Sequence, residues 1–268
     1  MSIQPVTSAA IMHNCMIKSY PDGAQTYIVA EKPIFRERGW EARSRAKPGD
    51  DEEPTPKAAT SSTERARRRA RNRVFDLAYS NDFSYFVTLT LDKEKVDRYD
   101  IREITHKLNI WLDNNTRRKG LAYVLVPELH KDGAIHFHGL FNGALSATSS
   151  GTWAHGGDKP RRPRSKAEKE AWINDPDYHE VFNLPAWPYG FSTAIPLYGD
   201  RGATAGYIVK YITKTVEKIG GRWYFSGGAL QGPAVSVTDA DYNDFSDGKG
   251  GEFEIKELGV KARKLSLF

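Results

Sequence analysis

The feature that most constrains this chain is a pair of apolar-alternating runs within residues 123–141, YVLVPELHKDGAIHFHGLF, joined at Lys131, Asp132 and Gly133. Alternation with a period of two is the pattern of half-buried strands. A short loop carrying a glycine at positive φ closes a hairpin between two such strands. If the loop is those three residues, His130 pairs with Ala134, Glu128 lies opposite His136, and Val126 lies opposite His138. Strand side chains alternate between faces, so His136 and His138 point the same way and the cross-strand Glu128 points with them. Phe137, between the histidines, faces the core. A two-residue Asp132-Gly133 turn would instead send Glu128 to the other face and leave the two histidines alone.

Two imidazoles and a carboxylate on one patch of sheet suit a divalent metal that keeps positions open for phosphate oxygens and water. A histidine pair alone is less specific. It occurs as plain polar surface on edge strands, and also in cupins and histidine-triad hydrolases.

The chain has 268 residues, room for one sizeable domain with decoration or a small appendage. Its 39 basic against 34 acidic residues give a formal charge of +5, which matters only where the charge clusters. A single cysteine, Cys15, excludes an intramolecular disulfide framework and fits a reducing compartment. No run approaches the roughly 20 apolar residues of a membrane helix, and the N-terminus has no signal-peptide pattern. A protein of the host-cell cytoplasm, with no membrane partner, is expected.

Residues 1–40 carry short β-like runs and read as an N-terminal arm. Residues 41–62, rich in Pro, Ser and charge, read as a flexible linker. A helix is expected over residues 63 to about 80, opened by a capping box of Ser61 and Glu64. It bears Arg65, Arg67, Arg68, Arg69, Arg71 and Arg73. Guanidinium groups suit bidentate phosphate contacts, so this helix is a candidate nucleic-acid surface, the alternative being a solvated helix face. YFVTLTL at 85–91 reads as a buried strand with its two threonines on one face. Asp100 caps a helix running to about 118, with Ile101, Ile104, Leu108 and Trp111 at helical spacing. Strand, helix and hairpin in that order give an α+β fold with a central, mainly antiparallel sheet flanked by helices.

Residues 142–179 are polar and rich in Pro and Gly, with a basic knot of Lys159, Arg161, Arg162 and Arg164, and read as a surface insertion. His155 and His179 lack the companions and spacing of a second metal site. Strands broken by Pro185 and Pro188 follow over 180–197. The domain is expected to end near 228. In it Arg222, Trp223, Tyr224 and Phe225 are read as core in preference to a base-stacking surface, and a C-terminal extension follows over 229–268.

A second chemical stretch is GYIVKYITK at 206–214. On a helix Tyr207, Lys210, Tyr211 and Lys214 share one face, while Ile208, Val209 and Ile212 fall opposite and are expected to pack on the sheet. A phenol ionises near pH 10 and needs help to act as a nucleophile. Lysines one turn away can neutralise phosphate charge as it develops. Taken alone, such a stripe is more often an amphipathic surface than an active site.

With FVTLT first, His136-Phe137-His138 second and YIVKYITK third, the chain resembles the HUH endonucleases, specifically the rolling-circle replication initiators. The paired tyrosines resemble the two-tyrosine class of small single-stranded DNA phages, prophages and plasmids. The resemblance covers residues 65 to about 225. It implies a ferredoxin- or RRM-like sheet, a site-specific single-strand nickase and strand transferase, and Mg²⁺ or Mn²⁺ held by His136, His138 and Glu128. It further implies that Tyr207 or Tyr211 attacks a phosphate of single-stranded DNA at a replication origin. The products are a 5′-phosphotyrosine link and a free 3′-hydroxyl for a polymerase, with Lys210 and Lys214 assisting at the phosphate. Tyr211 is the first choice if one tyrosine acts.

The sequence has no G-x-x-x-x-G-K-[ST] phosphate loop, so unwinding is expected from a host helicase. A transposase or relaxase would share the chemistry. A non-catalytic DNA-binding protein would not need the tyrosines, and a cupin-like oxidase would have no use for the tyrosine-lysine helix.

Overall fold

The computed structural model describes residues 11–36, 56–130, 132–156, 159–214, 217–245, 251–255 and 258–267, with backbone alone for 56–61. Strands β1 (Met12–His13), β2 (Cys15–Ser19), β3 (Gln25–Ala30) and β4 (Phe35–Arg36) come first. Helix α1 (Pro56–Ser80) leads into β5 (Tyr85–Leu91), α2 (Ile101–Lys119) and the hairpin of β6 (Tyr123–Leu129) and β7 (Ile135–Phe141). Then follow β8 (Thr148–His155), α3 (Lys166–Ile173), β9 (Tyr178–Asn183), β10 (Gly190–Pro196), α4 (Arg201–Lys214) and β11 (Phe225–Gly227). The chain closes with β12 (Ala234–Thr238), β13 (Glu252–Ile255) and β14 (Val260–Leu267). The α+β class expected from the sequence is the one found. Among the described residues no helix is long and apolar enough to cross a membrane.

Two compact units result: residues 1–55 with 232–268, and residues 56–231. In the first, five antiparallel strands lie in the order β12-β2-β3-β14-β13. The segments read from sequence as an arm and an extension thus pair with each other there. Cys15, opposite Val29 and Thr238, is buried in that sheet, and burial pushes its thiol pKa up.

The second unit is a seven-stranded antiparallel sheet, in the order β11-β6-β7-β5-β10-β9-β8. On one face α2 packs Ile104, Leu108, Trp111 and Leu112 against Val87, Leu89, Leu125, Phe137 and Phe141. Burying a side chain such as Phe137, 1% exposed, is worth about 1.5–3 kcal/mol and pins β7 with its odd-numbered residues toward α2. That leaves the even-numbered histidines on the opposite face, where α4 lies over β6 and β7 beside α1. Asp100 caps α2 by accepting from the amides of Arg102 and Glu103, and Gly120, at φ 70°, terminates it.

Three expectations change. α1 begins at Pro56, a residue suited to the first helical position, so Ser61 and Glu64 lie inside the helix and form no capping box at its start. The expected linker therefore ends in helix, and its residues 41–55 lie outside the described residues. The insertion at 142–179 is more than a loop, because its Thr, Ser and Trp residues at 148–155 form an edge strand on β9, and Ser165 caps the short α3. Trp223 and Phe225 are core, as expected.

Candidate active site

The hairpin has the expected register: Glu128 opposite His136, Val126 opposite His138, and the amide of His130 donating to the carbonyl of Ala134 across 2.8 Å. Gly133, at φ 83°, makes the turn. On the other side β7 pairs with β5, which places Thr88 beside His138 and Thr90 beside His136. The two threonines contact the histidines through Oγ1 to Nδ1, at 3.1 Å for Thr88 and 3.2 Å for Thr90. A partner on Nδ1 fixes the ring and directs Nε2 outward, the arrangement of metal-binding histidines. The sequence signal for this was present in the threonines two apart on FVTLT, which had suggested only core.

Glu128 meets His138 through Oε2 to Nε2 at 2.7 Å, and Lys214 through Oε1 to Nζ at 3.6 Å. Burial lowers the pKa of His138 to about 4 despite the neighbouring Glu128, and burial also lowers that of His136. Both rings are therefore neutral at pH 7, the form that binds metals. Neutral His138 donates from Nε2 to Glu128 and accepts at Nδ1 from Thr88. The hydroxyl can reverse, accepting from Nδ1–H and freeing the Nε2 lone pair. His136 stacks on His130, with ring centroids 4.4 Å apart. His130 shares the face of Glu128, a consequence of strand alternation that its spacing in sequence already carried.

Tyr211 stacks on His138 at 4.1 Å between centroids and 20° between planes, and its hydroxyl is 3.1 Å from that of Tyr207. Phe86 of β5 meets Tyr207 edge-on at 5.1 Å and lies 6.0 Å from Tyr211. The tyrosine face of α4 is thus turned to the sheet, where an outward polar face had been expected. Ile208 and Ile212 are also fully buried, and Val209 is half-buried. Tyr211 is 8% exposed and Tyr207 47%. Burial, then the bond to Tyr207, raises the pKa of the Tyr211 phenol above its ordinary value. Lys214 lies over the Tyr211 ring and Lys210 over that of Tyr207, at 5.0 and 5.7 Å.

Two imidazoles and a carboxylate are the right donor chemistry for Mg²⁺ or, better, Mn²⁺. Glu128, His136 and His138 share one face, but among the described residues no such set is drawn together as a ready-made cation site. The reason is local: Glu128 is engaged with His138 and Lys214, and His136 with His130. Binding requires only that side chains on fixed strands exchange partners. The donors therefore fit, as an arrangement that a cation would complete.

The arginines of α1 are not part of this cluster. Arg68, Arg69, Arg71 and Arg73 are exposed, Arg65 and Arg67 half-buried, while Val74, Leu77 and Ala78 are buried. His155 and His179 belong to no second metal site: they sit at successive register positions of β8 and β9, opposite Tyr178 and Ala154, and so point to opposite faces.

By fold and site, this is an α+β protein whose antiparallel sheet presents histidine, glutamate and a paired-tyrosine helix on a single face. Residues 84–216 match the model of a family of replication-associated proteins, described as Replication-associated protein ORF2, which agrees with a rolling-circle replication initiator. The match runs from the start of β5 to just past α4 and so takes in every side chain of the cluster. No curated protein and no solved structure matches the chain at a significant level.

Proposed function

We propose that this chain is a replication initiator that nicks single-stranded DNA at an origin, becomes joined to the 5′ side of the nick through tyrosine, and later rejoins the strand. The observation that carries the reading is the stacking of Tyr211 on His138, 4.1 Å between rings, with the Tyr207 hydroxyl 3.1 Å from its own. A nucleophile and a phosphate-activating group must be neighbours for in-line attack, and nothing in a plain amphipathic helix requires it.

Glu128, His136 and His138 would hold Mg²⁺ or Mn²⁺, which when bound supplies Lewis-acid polarisation of the scissile phosphate. Lys214 and Lys210, next to the rings of the two tyrosines, offset the charge gathering on the phosphate oxygens. The tyrosine oxygen forms a bond to phosphorus as the bond from phosphorus to the 3′ oxygen breaks. The phenol gives up its proton, Tyr211 through Tyr207, and the 3′ oxygen takes one up. The free 3′-hydroxyl then primes a polymerase, with a host helicase opening the duplex. Two tyrosines permit a second cleavage while the first link is resolved. The exposed arginines of α1 bind the DNA backbone.

The test is incubation with labelled single-stranded oligonucleotides that tile the replicon's origin, with Mn²⁺ or Mg²⁺, followed by a denaturing gel. A protein-DNA adduct is expected, lost in His136→Ala and in the Tyr207→Phe, Tyr211→Phe double variant. DNA binding with no adduct across the full tiling, with either metal, overturns the nickase reading and leaves a DNA-binding protein.

A further inference from the structure

Large apolar side chains on strands inside a sheet are usually covered by the next layer. Phe191 is not. It lies on β10, between β5 and β9, and is 68% exposed. It pairs with Thr90, which pairs with His136, which pairs with Glu128. Paired residues share a face, so Phe191 stands on the histidine face. Two strand spacings put it about 10 Å from His136. At the other end of β5 the tyrosines of α4 sit against Phe86, which pairs with Ile195. Ile195 and Thr193 are half-buried, and Phe191 marks the open end of the same face.

A cation stands beside it. Lys95, in the turn after β5, is exposed and donates from Nζ to the carbonyl of Pro188 across 3.3 Å. The amide of Asp92 donates to the carbonyl of Tyr189 at 2.9 Å, which holds that turn against the segment entering β10. An ammonium on a neutral carbonyl keeps its charge for a phosphate, whereas Lys93 and Glu94 pair with each other at 3.7 Å.

We propose that Phe191 is a stacking platform for an unpaired base of the single-stranded DNA, a short step along the strand from the scissile phosphate, with Lys95 on the adjoining phosphate. The inference rests on the nickase reading and adds to it the path of the substrate. A protein partner would need a contiguous apolar patch, but the row from Phe191 inward is Thr90, His136 and Glu128. A lone aromatic ring among polar groups beside a lysine suits a base on its face and a phosphate at its edge, on a chain of net charge +5.

The test is fluorescence-anisotropy titration of the full chain with labelled oligothymidylate, without divalent metal, over a range of salt. Phe191→Ala is expected to weaken binding by roughly five- to a hundredfold at every salt concentration, since stacking carries no counterions. Phe191→Trp is expected to bind at least as tightly as the wild type. Lys95→Ala should instead lower the salt slope by about 0.7. Ile173→Ala, at an exposed apolar residue of α3, should stay within about twofold. Phe191→Ala within about twofold of wild type, a parallel loss in Ile173→Ala, or a Phe191→Trp as weak as the alanine variant overturns the inference. If these occur while the wild type still forms its tyrosine adduct, the nickase reading stands without this platform. If the wild type neither binds nor forms an adduct, both fall.

Discussion

His138 ties fold to site through its protonation, and the size of the effect follows from its surroundings. Its ordinary pKa is 6.5, and burial under Tyr211 lowers it to about 4 in the folded chain. As pH falls, the unfolded chain takes up the proton first, so between those values it binds more protons than the native state. Stability from this group is therefore intact above 6.5 and is lost progressively as pH falls toward and through 4. From pH 7 to pH 5 the loss is about 2 kcal/mol. In a unit of this size that lowers Tm by roughly 4–8 °C. The assay is a thermal scan in chelator at both pH values, with His138→Gln alongside; the glutamine amide can still donate to Glu128 but does not titrate. The wild-type Tm is expected to drop about 4–8 °C further than that of the variant. Parallel drops, within about 1 °C, would refute the claim that His138 is held neutral by burial.

Gly139→Ala would place a methyl 2.2 Å from the carbonyl oxygen of Val124 and 2.5 Å from Leu125 Cδ2, forcing apart the strands that carry Glu128 and His138. A loss of about 1–3 kcal/mol or more is expected in a denaturant melt, together with weaker adduct formation. Thr88→Val removes the hydroxyl on His138 Nδ1. It is expected to weaken Mn²⁺ binding about 10- to 100-fold by calorimetry while leaving Tm nearly unchanged. Replacing Arg69, Arg71 and Arg73 together by Gln should lower the salt slope of single-strand binding by on the order of 2, and an unchanged slope would remove α1 from the DNA interface.

Much of the site was legible because its geometry follows from chain-local rules. A three-residue loop and strand alternation were enough to place Glu128, His136 and His138 on one face. The motif order linked them to the tyrosine helix. What the sequence did not disclose came from contacts between distant segments. Thr88 and Thr90 acquire a role only when β5 lies beside β7, a pairing that spans some 50 residues of sequence. Tyr211 was expected on a polar face, yet it is buried because α4 turns that face onto His138. The strands at the two ends of the chain find their hydrogen bonds in each other, and short runs such as those at 25–30 and 260–267 carry no local sign of the partner. The polar insertion formed β8 because its backbone could pair with β9, which composition alone does not reveal.

The central claim is that a tyrosine of α4 becomes covalently joined to DNA beside these histidines. Trypsin cuts after Lys210, between the two candidates, so Tyr207 falls in the peptide 202–210 and Tyr211 in 211–214. Mass spectrometry of the nuclease-trimmed, trypsin-digested adduct is therefore the most direct measurement. The expected result is a nucleotide phosphate on one or both of these peptides, Tyr211 first if only one carries it. A nucleotide on any other residue, or none on either peptide from DNA that has been cleaved, would contradict the account.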